Sequence, residues 1–411
     1  MRISSFVRFS VLLGMFTALF SNVQVQAQDN NYIGQDLNTI TTAVPFLLIA
    51  PDARSGGMGE AGVSSAPDAN SLHWNAAKYT YIENSMGFSM SYSPWLRALV
   101  SDINLAYLTG YVKLKDDQVV SGSLLYFSLG DILFTDIIGD PIANYRPNEF
   151  ALSAAYSRKL TKNLSGAVAG RFINSNLTQG QSVGGTSTKP GRSVAADISL
   201  YSQHDVNFPN MEGFFAWGVN ISNIGAKISY SDDNTERDFI PTNLRFGPSL
   251  TMDIDDFNRL TFMVDVNKLL IPTPPIYATD SITGLPIYGD DGDQIIAFGK
   301  DPNVGVPAGM FQSFFDAPGG FSEEMREFSF AVGVEYWYDK QFAIRGGYFY
   351  EDRYKGNRKF FTLGAGLRYN VFGLDFAYLI PTGGQAQNPL ENTLRFTLHF
   401  DFEAFQNQAN K

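Results

Sequence analysis

From Met86 onward the side chains change character at every second residue. Met86, Phe88, Met90 and Tyr92 are large and apolar, and Gly87, Ser89 and Ser91 between them are small or polar. A period of two sends alternate side chains to opposite faces of a strand. One large apolar face and one small polar face suit a strand that stands between lipid and a filled lumen. The signal returns thirteen more times, over Ile103–Lys113, Val119–Ser128, Asn148–Lys159, Leu164–Ile173, Ser193–Ser202, Gly213–Ser222, Thr242–Met252, Arg259–Asn267, Glu327–Tyr338, Phe342–Tyr350, Phe360–Tyr369, Phe372–Ile380 and Asn392–Phe402. Ile103–Lys113 alternates poorly. In Glu327–Tyr338, Phe328, Phe330, Val332, Val334 and Tyr336 take one face, with Ser329, Ala331, Gly333 and Glu335 opposite.

The connections test this independently. Short ones fall at Leu114–Gln118, Leu160–Asn163, Asp253–Asn258, Asp339–Gln341 and Asn370–Val371. Long ones fall at Leu129–Pro147, Asn174–Arg192, Asn223–Pro241, Lys268–Arg326, Glu351–Lys359 and Pro381–Glu391. Outer-membrane barrels have short periplasmic turns and long outer loops, and a soluble sandwich has no reason for this rhythm. Only Gln203–Glu212 is longer than a periplasmic turn should be. The expected fold is an all-β, antiparallel transmembrane barrel of about 14 strands over residues 83–402, with a periplasmic tail at 403–411.

Residues 1–27 read as a cleaved signal peptide. Arg2 and Arg8 precede an apolar run, Val11 to Phe20, and Val25-Gln26-Ala27 forms a small-residue cleavage site. That run is shorter than the roughly 20 residues a spanning helix needs. The formal charge of -11 argues against nucleic acid as a partner, and the absence of cysteine removes disulfides, thiolate metal sites and lipid anchoring. The 14% aromatic content and 38 glycines suit aromatic girdles and close strand contacts.

Between the signal and the first strand lie an arm, 28–50, expected to be periplasmic, and a Gly-, Ala- and Ser-rich stretch, 51–82. In the latter, Gly56, Gly57, Gly59 and Gly62 allow close backbone approach, and Asp68, Asn70 and Ser71 suit a short helical turn. The sequence Asp52-Ala53-Arg54, then Met58-Gly59, Ala61-Gly62-Val63, Asp68 and Trp74-Asn75-Ala76-Ala77, resembles the amino-terminal hatch of outer-membrane proteins related to the fatty-acid transporter FadL. Within that group the chain is similar to the PorV family of type IX secretion, most specifically over Gly299 to Met325. The family usually has proline where this chain has Ala76. The resemblance implies a hatch inside the barrel, with Arg54, Gly57, Met58, Gly59, Gly62, Asp68, Trp74 and Asn75 as its signature. It also implies a carrier that binds the carboxy-terminal signal domains of secreted proteins. Such a carrier takes cargo from a giant translocon barrel and passes it to a sortase-like attachment complex. The alternative within the wider group is a transporter of hydrophobic small molecules.

Catalytic chemistry finds little support. His73, His204 and His399 are scattered with no metal-ligand spacing, and no Ser–His–Asp set can be assembled, so neither enzyme, metal nor cofactor is expected. The acidic runs 231–236 and 289–293 match no calcium loop and read as solvated outer loops. Inward Arg171, Arg245, Glu335 and Arg345 read as internal ion pairs rather than a conduction path. The informative stretch is Lys268–Arg326, 59 residues long. Met310, Phe311, Phe314, Phe315 and Phe321 on it, with Ile132, Leu133 and Phe134 on a second loop, are expected either to meet another protein or to fold back over the lumen.

Overall fold

The computed structural model describes residues 37–96, 100, 102–135, 138, 140–178, 180, 188–209, 211–231, 237–280, 282–290, 292–382, 390 and 393–402. The expectations for the signal peptide, for residues 28–36 and for the tail 403–411 lie outside these residues.

Fourteen antiparallel strands form a closed barrel. They are β1 (Met86–Pro94), β2 (Asn104–Lys115), β3 (Gln118–Ser128), β4 (Asn148–Lys159), β5 (Leu164–Asn176), β6 (Gly191–Phe208), β7 (Met211–Gly225), β8 (Asn243–Asp253), β9 (Asn258–Leu269), β10 (Phe328–Tyr338), β11 (Phe342–Tyr350), β12 (Lys359–Tyr369), β13 (Phe372–Pro381) and β14 (Leu394–Asp401). Each pairs with its chain neighbours, and β1 closes the wall against β14, with Phe88 opposite Phe400 and Ser91 opposite Thr397. Closure leaves no edge strand with unpaired backbone groups, which a bilayer would not tolerate. The alternation sorts as expected. On β1, Ser89, Ser91 and Ser93 are buried inward while Met90 and Tyr92 are exposed on the outer wall.

One connection differs from expectation. Gln203–Glu212 is not an open linker, because β6 runs to Phe208 and β7 starts at Met211, with Phe208 paired to Met211. The residues Gln203, His204, Asp205 and Asn207 conceal a strand that alternates weakly yet pairs through its backbone. All connections at that end are therefore short turns.

The barrel's core is a segment of its own chain. Residues 43–82 touch inward side chains around the wall. Thr397 Oγ1 on β14 accepts from Ala53 N at 2.8 Å, and Thr362 Oγ1 on β12 accepts from Gly59 N at 2.8 Å. Asp265 Oδ2 on β9 accepts from Gly62 N and Val63 N at 2.7 and 2.9 Å. Ser157 and Ser165, on β4 and β5, donate to Ala76 O and Ala77 O, each at 2.8 Å. Contacts with so many strands of one closed wall put the segment in the lumen.

The described part of the arm, 38–50, is not at the short-turn end. Asn38 Nδ2 donates to Glu323 Oε1 at 3.0 Å and Ala43 N to Phe239 O at 2.9 Å, both in long connections. The physical reason is a hydrophobic cluster. Val44, Phe46 and Leu47 bury themselves against Leu105, Tyr107, Leu125, Phe127 and Ile173, at the long-loop ends of β2, β3 and β5. The chain thus threads the lumen from the long-loop end at Asn38 to the short-turn end at Ile82.

Candidate partner-binding surface and the lumen beneath it

Inside the lumen, four short helical turns place the polar groups. Asp52 caps the turn Ala53–Gly56, accepting from Ser55 N at 2.8 Å and from Trp74 Nε1 at 2.6 Å. That turn aims Arg54 at the wall. Its guanidinium makes a two-pronged contact with Glu335 of β10 at 2.9 and 2.7 Å, and also reaches Asp68 and Ala66 O, each at 3.0 Å. Glu335 receives Arg345 of β11 at 2.7 Å, and Arg345 reaches Asp375 of β13 at 2.9 Å. Arg368 and His399 complete the chain on Asp375 at 2.7 and 2.6 Å. The inward charges expected from the sequence are thus tied to one another and to the inner segment. Arg171 pairs with Asp197 at 2.9 Å. Arg245 instead donates to Asn267 at 2.6 Å and lies over the Trp74 ring, 4.4 Å from its centroid.

The glycines serve close approach. Gly59 has φ 69°, and a Cβ there would sit 2.6 Å from Tyr348 N. A Cβ on Gly62 would lie 2.5 Å from the Trp74 ring, and one on Gly57 3.1 Å from the Cα of Gly364. Met58 is buried among Ala61, Met263 and Ala331. Asn75 caps Ala77 N at 3.0 Å while donating to Val63 O and Leu200 O at 3.1 and 2.9 Å. All eight signature residues expected in a hatch therefore lie in the lumen, and Arg54, Asp68, Trp74 and Asn75 hold it together.

The long connection after β9 is a built structure. Leu270 and Ile271 are buried, a small hairpin pairs Ile276–Tyr277 with Ile296–Phe298, and two helices follow, Val306–Gln312 and Phe321–Arg326. Pro307 stands in the first turn of the former, where its missing N–H has no partner to lose. Gly309 lets that helix sit on Phe239 and Pro272, where a Cβ would meet them at 3.0 and 3.1 Å.

Beneath the second helix lies a buried polar cluster. Glu324 Oε1 accepts from Asp316 N and Ala317 N at 2.7 and 2.9 Å. Lys268 reaches Glu327 at 2.5 Å and Glu324 at 3.3 Å, and Lys355 reaches Glu323 at 2.6 Å and Glu327 at 3.1 Å. Thr273 donates from Oγ1 to Glu327 at 2.6 Å and from its backbone N to Asp316 Oδ2 at 3.1 Å. Burial, reinforced by the neighbouring Glu324 and Glu327, pushes the Asp316 carboxyl up to about 6. For Glu323 burial also pushes upward, but hydrogen bonds from Lys355 and Gly319 N outweigh it and hold it below the usual range.

On this platform Phe311, Phe315 and Phe321 are 78%, 75% and 79% exposed. Met310 and Phe314 are half-buried, and Phe314 turns toward Lys268, whose Nζ lies 5.5 Å from its ring centroid. The five residues do not act alike: three face out and two pack back. Ile132 and Leu133 are exposed on a second small hairpin, Ile132–Thr135 with Pro141–Tyr145, while the side chain of Phe134 lies outside the described residues. What the sequence did not single out is the platform itself. Asp316, Glu324, Glu327, Lys268 and Lys355 come together across 88 positions of chain, with no local pattern to mark them.

A family model described as type IX secretion system protein PorV matches residues 32–276, more than half of the chain. The chain belongs to the PorV family. It is accordingly an outer-membrane component of type IX secretion, in a family of secretion proteins rather than enzymes. No curated protein matches it. Among solved structures it is similar to the CymD monoaromatic hydrocarbon channel, at 12% identity and TM-score 0.45 over 86% of this chain and 98% of that one. It is similar also to the Pseudomonas putida toluene transporter TodX, at 10% identity and TM-score 0.44 over 89% and 98%. A Pseudomonas aeruginosa FadL homologue matches at 11% identity and TM-score 0.39 over 89% and 99%. The hydrocarbons in those titles belong to those proteins.

Proposed function

We propose that this PorV-family barrel is an anchored carrier. Its outer loops hold the carboxy-terminal signal domain of secreted cargo, receive it from the giant translocon barrel and present it to a sortase-like attachment complex. One observation carries the reading: three almost fully exposed phenylalanines stand on a platform fixed by a buried ion cluster. An apolar surface held rigid in water is one prepared for a partner, because the ordering cost of binding is already met. Residues 51–82 are the hatch, held in place by the Arg54 network and not a passage for solute. Residues 1–27 are the cleaved export signal, and the carboxy-terminal tail lies in the periplasm.

The alternative, passage of hydrophobic molecules through the lumen, needs an apolar conduit. The cavity beside Arg245 has apolar walls at Ile40, Leu48, Leu269 and Phe349, but Glu60, Glu327, Glu351, Lys355 and Arg358 also line it, so charged groups interrupt an apolar path there, which favours the carrier. The test is mild-detergent purification from the native outer membrane, comparing the wild type with Phe311→Ser/Phe315→Ser. The reading expects exported proteins sharing a carboxy-terminal domain, or a very large barrel, with the wild type and their loss from the variant. Equal recovery from both sinks the role of these phenylalanines. A wild type bringing down only lipid promotes the transporter.

A further inference from the structure

The platform under the exposed phenylalanines carries an imbalance of charge. Four carboxylates, Asp316, Glu323, Glu324 and Glu327, meet two ammonium groups, Lys268 and Lys355. Three of the four have a lysine partner. Asp316 has none among the described residues: one carboxylate oxygen accepts from Thr273 N, and the other, Oδ1, is buried with no hydrogen-bond partner. The residue is 1% exposed. A buried carboxylate with one oxygen lacking a donor and with the charges of Glu324 and Glu327 close by is a position for a proton, since protonation removes the excess charge that burial makes costly.

The groups around Asp316 come from every element packed there. Lys268 and Thr273 belong to the end of β9 and its extension, Glu323 and Glu324 to the helix Phe321–Arg326, and Glu327 to the residue before β10. Lys355 comes from the connection after β11, and Asn38 from the inner segment, donating to Glu323 and to Pro274 O. Gly299, at φ 94°, seats the foot of the small hairpin on the same spot, where a Cβ would lie 3.2 Å from Asp316 O. Whatever loosens this cluster loosens both helices and the hairpin together.

We propose that the Asp316 cluster is a proton-operated latch: one proton on Asp316 tightens the hold of the loop 299–327 on the barrel rim, and its loss weakens that hold while the lysine–glutamate pairs keep the loop in place. The sign follows from linkage. The docked loop raises the carboxyl from 3.8 to about 6, so docking takes up a proton. Docking is strongest below pH 3.8 and weakens as pH rises through about 6. The gap between those two values sets a ceiling of roughly 100-fold, of which about tenfold falls between pH 5 and pH 8. In the carrier, this would make partner presentation respond to acidity at the cell surface. That consequence rests on the proposed function; the latch itself does not.

The experiment is hydrogen exchange with mass spectrometry on the full-length protein in detergent micelles at pH 5, 6, 7 and 8, with rates corrected for the pH dependence of the chemical step. Peptides within 300–327 should lose about tenfold protection from pH 5 to pH 8, most of it between pH 5 and 6 and little above pH 7, while strand peptides stay constant. Asp316→Asn, which keeps the acceptor for Thr273 and removes the titration, should give protection that is high and flat across the range. A wild-type profile without pH dependence overturns the latch, as does an Asn variant that keeps the wild-type slope. If the variant fails to fold, the shape of the wild-type profile, steep between pH 5 and 6 and flat above 7, decides alone. Loss of partner recovery with an intact pH profile would overturn the carrier and leave the latch standing.

Discussion

Arg54→Met removes the link between the inner segment and the wall while keeping the length of the side chain. The wild-type guanidinium makes hydrogen bonds to Glu335, Asp68 and Ala66 O. Both it and Glu335 are almost fully buried, with side-chain exposures of 7% and 2%. Breaking a buried ion pair by removing one member destabilises by about 3–5 kcal/mol. Glu335 keeps Arg345 after the substitution, so the effect belongs at the low end, about 3 kcal/mol. That corresponds to about a 150-fold rise in the equilibrium for local opening of residues 51–82. The wall makes its own ladder hydrogen bonds, so strand peptides serve as an internal reference. The assay is hydrogen exchange of peptides within 51–82, normalised to those within β4 and β5. Unchanged exchange in Arg54→Met would show that the ion pair holds nothing. An equal rise in inner and wall peptides would show that the segment and barrel open as one unit. Either result refutes the reasoning.

Other substitutions probe separate links. Gly62→Ala puts a methyl group 2.5 Å from the Trp74 ring, and overpacking of about 1–3 kcal/mol should appear in the same exchange assay. Asn75→Ala loses one cap and two carbonyl partners, so the segment should loosen by about 1–3 kcal/mol, read as faster exchange around Ala77. Thr39→Cys introduces the sole cysteine of the chain beside Asn38 at the long-loop end. An impermeant maleimide should label it on intact cells, and labelling only after permeabilisation would refute that placement. Phe315→Ser touches an exposed side chain, so the barrel should keep its heat-modifiable mobility in gel electrophoresis; loss of it would mean the ring supports the fold.

Where wall residues face lipid and small polar groups face in, the strands were legible. β4 and β11 match the sequence reading at both ends. β2 alternated poorly because its inward positions Leu105, Tyr107 and Tyr111 are apolar or aromatic. Leu105 and Tyr107 pack on Val44 and Phe46, and Tyr111 lies 5.3 Å from Tyr79, ring centroid to ring centroid. An inner segment that brings its own apolar side chains erases the signal on the strands it touches. The same fact hides the path of residues 38–50: a short apolar run before a glycine-rich stretch does not say which end of the lumen it enters. The signature residues were readable as backbone and capping chemistry, since Gly, Asp and Asn declare themselves locally. The Asp316 cluster was not, because ion pairs between residues dozens of positions apart leave no period or motif.

The inner segment also constrains how this protein can be assembled. Thr397 on the last strand accepts from Ala53 and shares a hydrogen bond with Ser91 on the first strand, so one hydroxyl sits where wall, thread and seam meet. The thread is made first, yet it must end up inside a cylinder whose final stave is made last. Its two ends leave at opposite mouths, so it cannot be slipped in afterwards from one side without passing a whole chain end through the lumen. The contacts with Thr397 and Thr362 are complete only once the last strands are in place around the thread. The seam between first and last strand is thus also a seam with the thread, and what loosens Ala53 loosens a bond at the point where the cylinder closes.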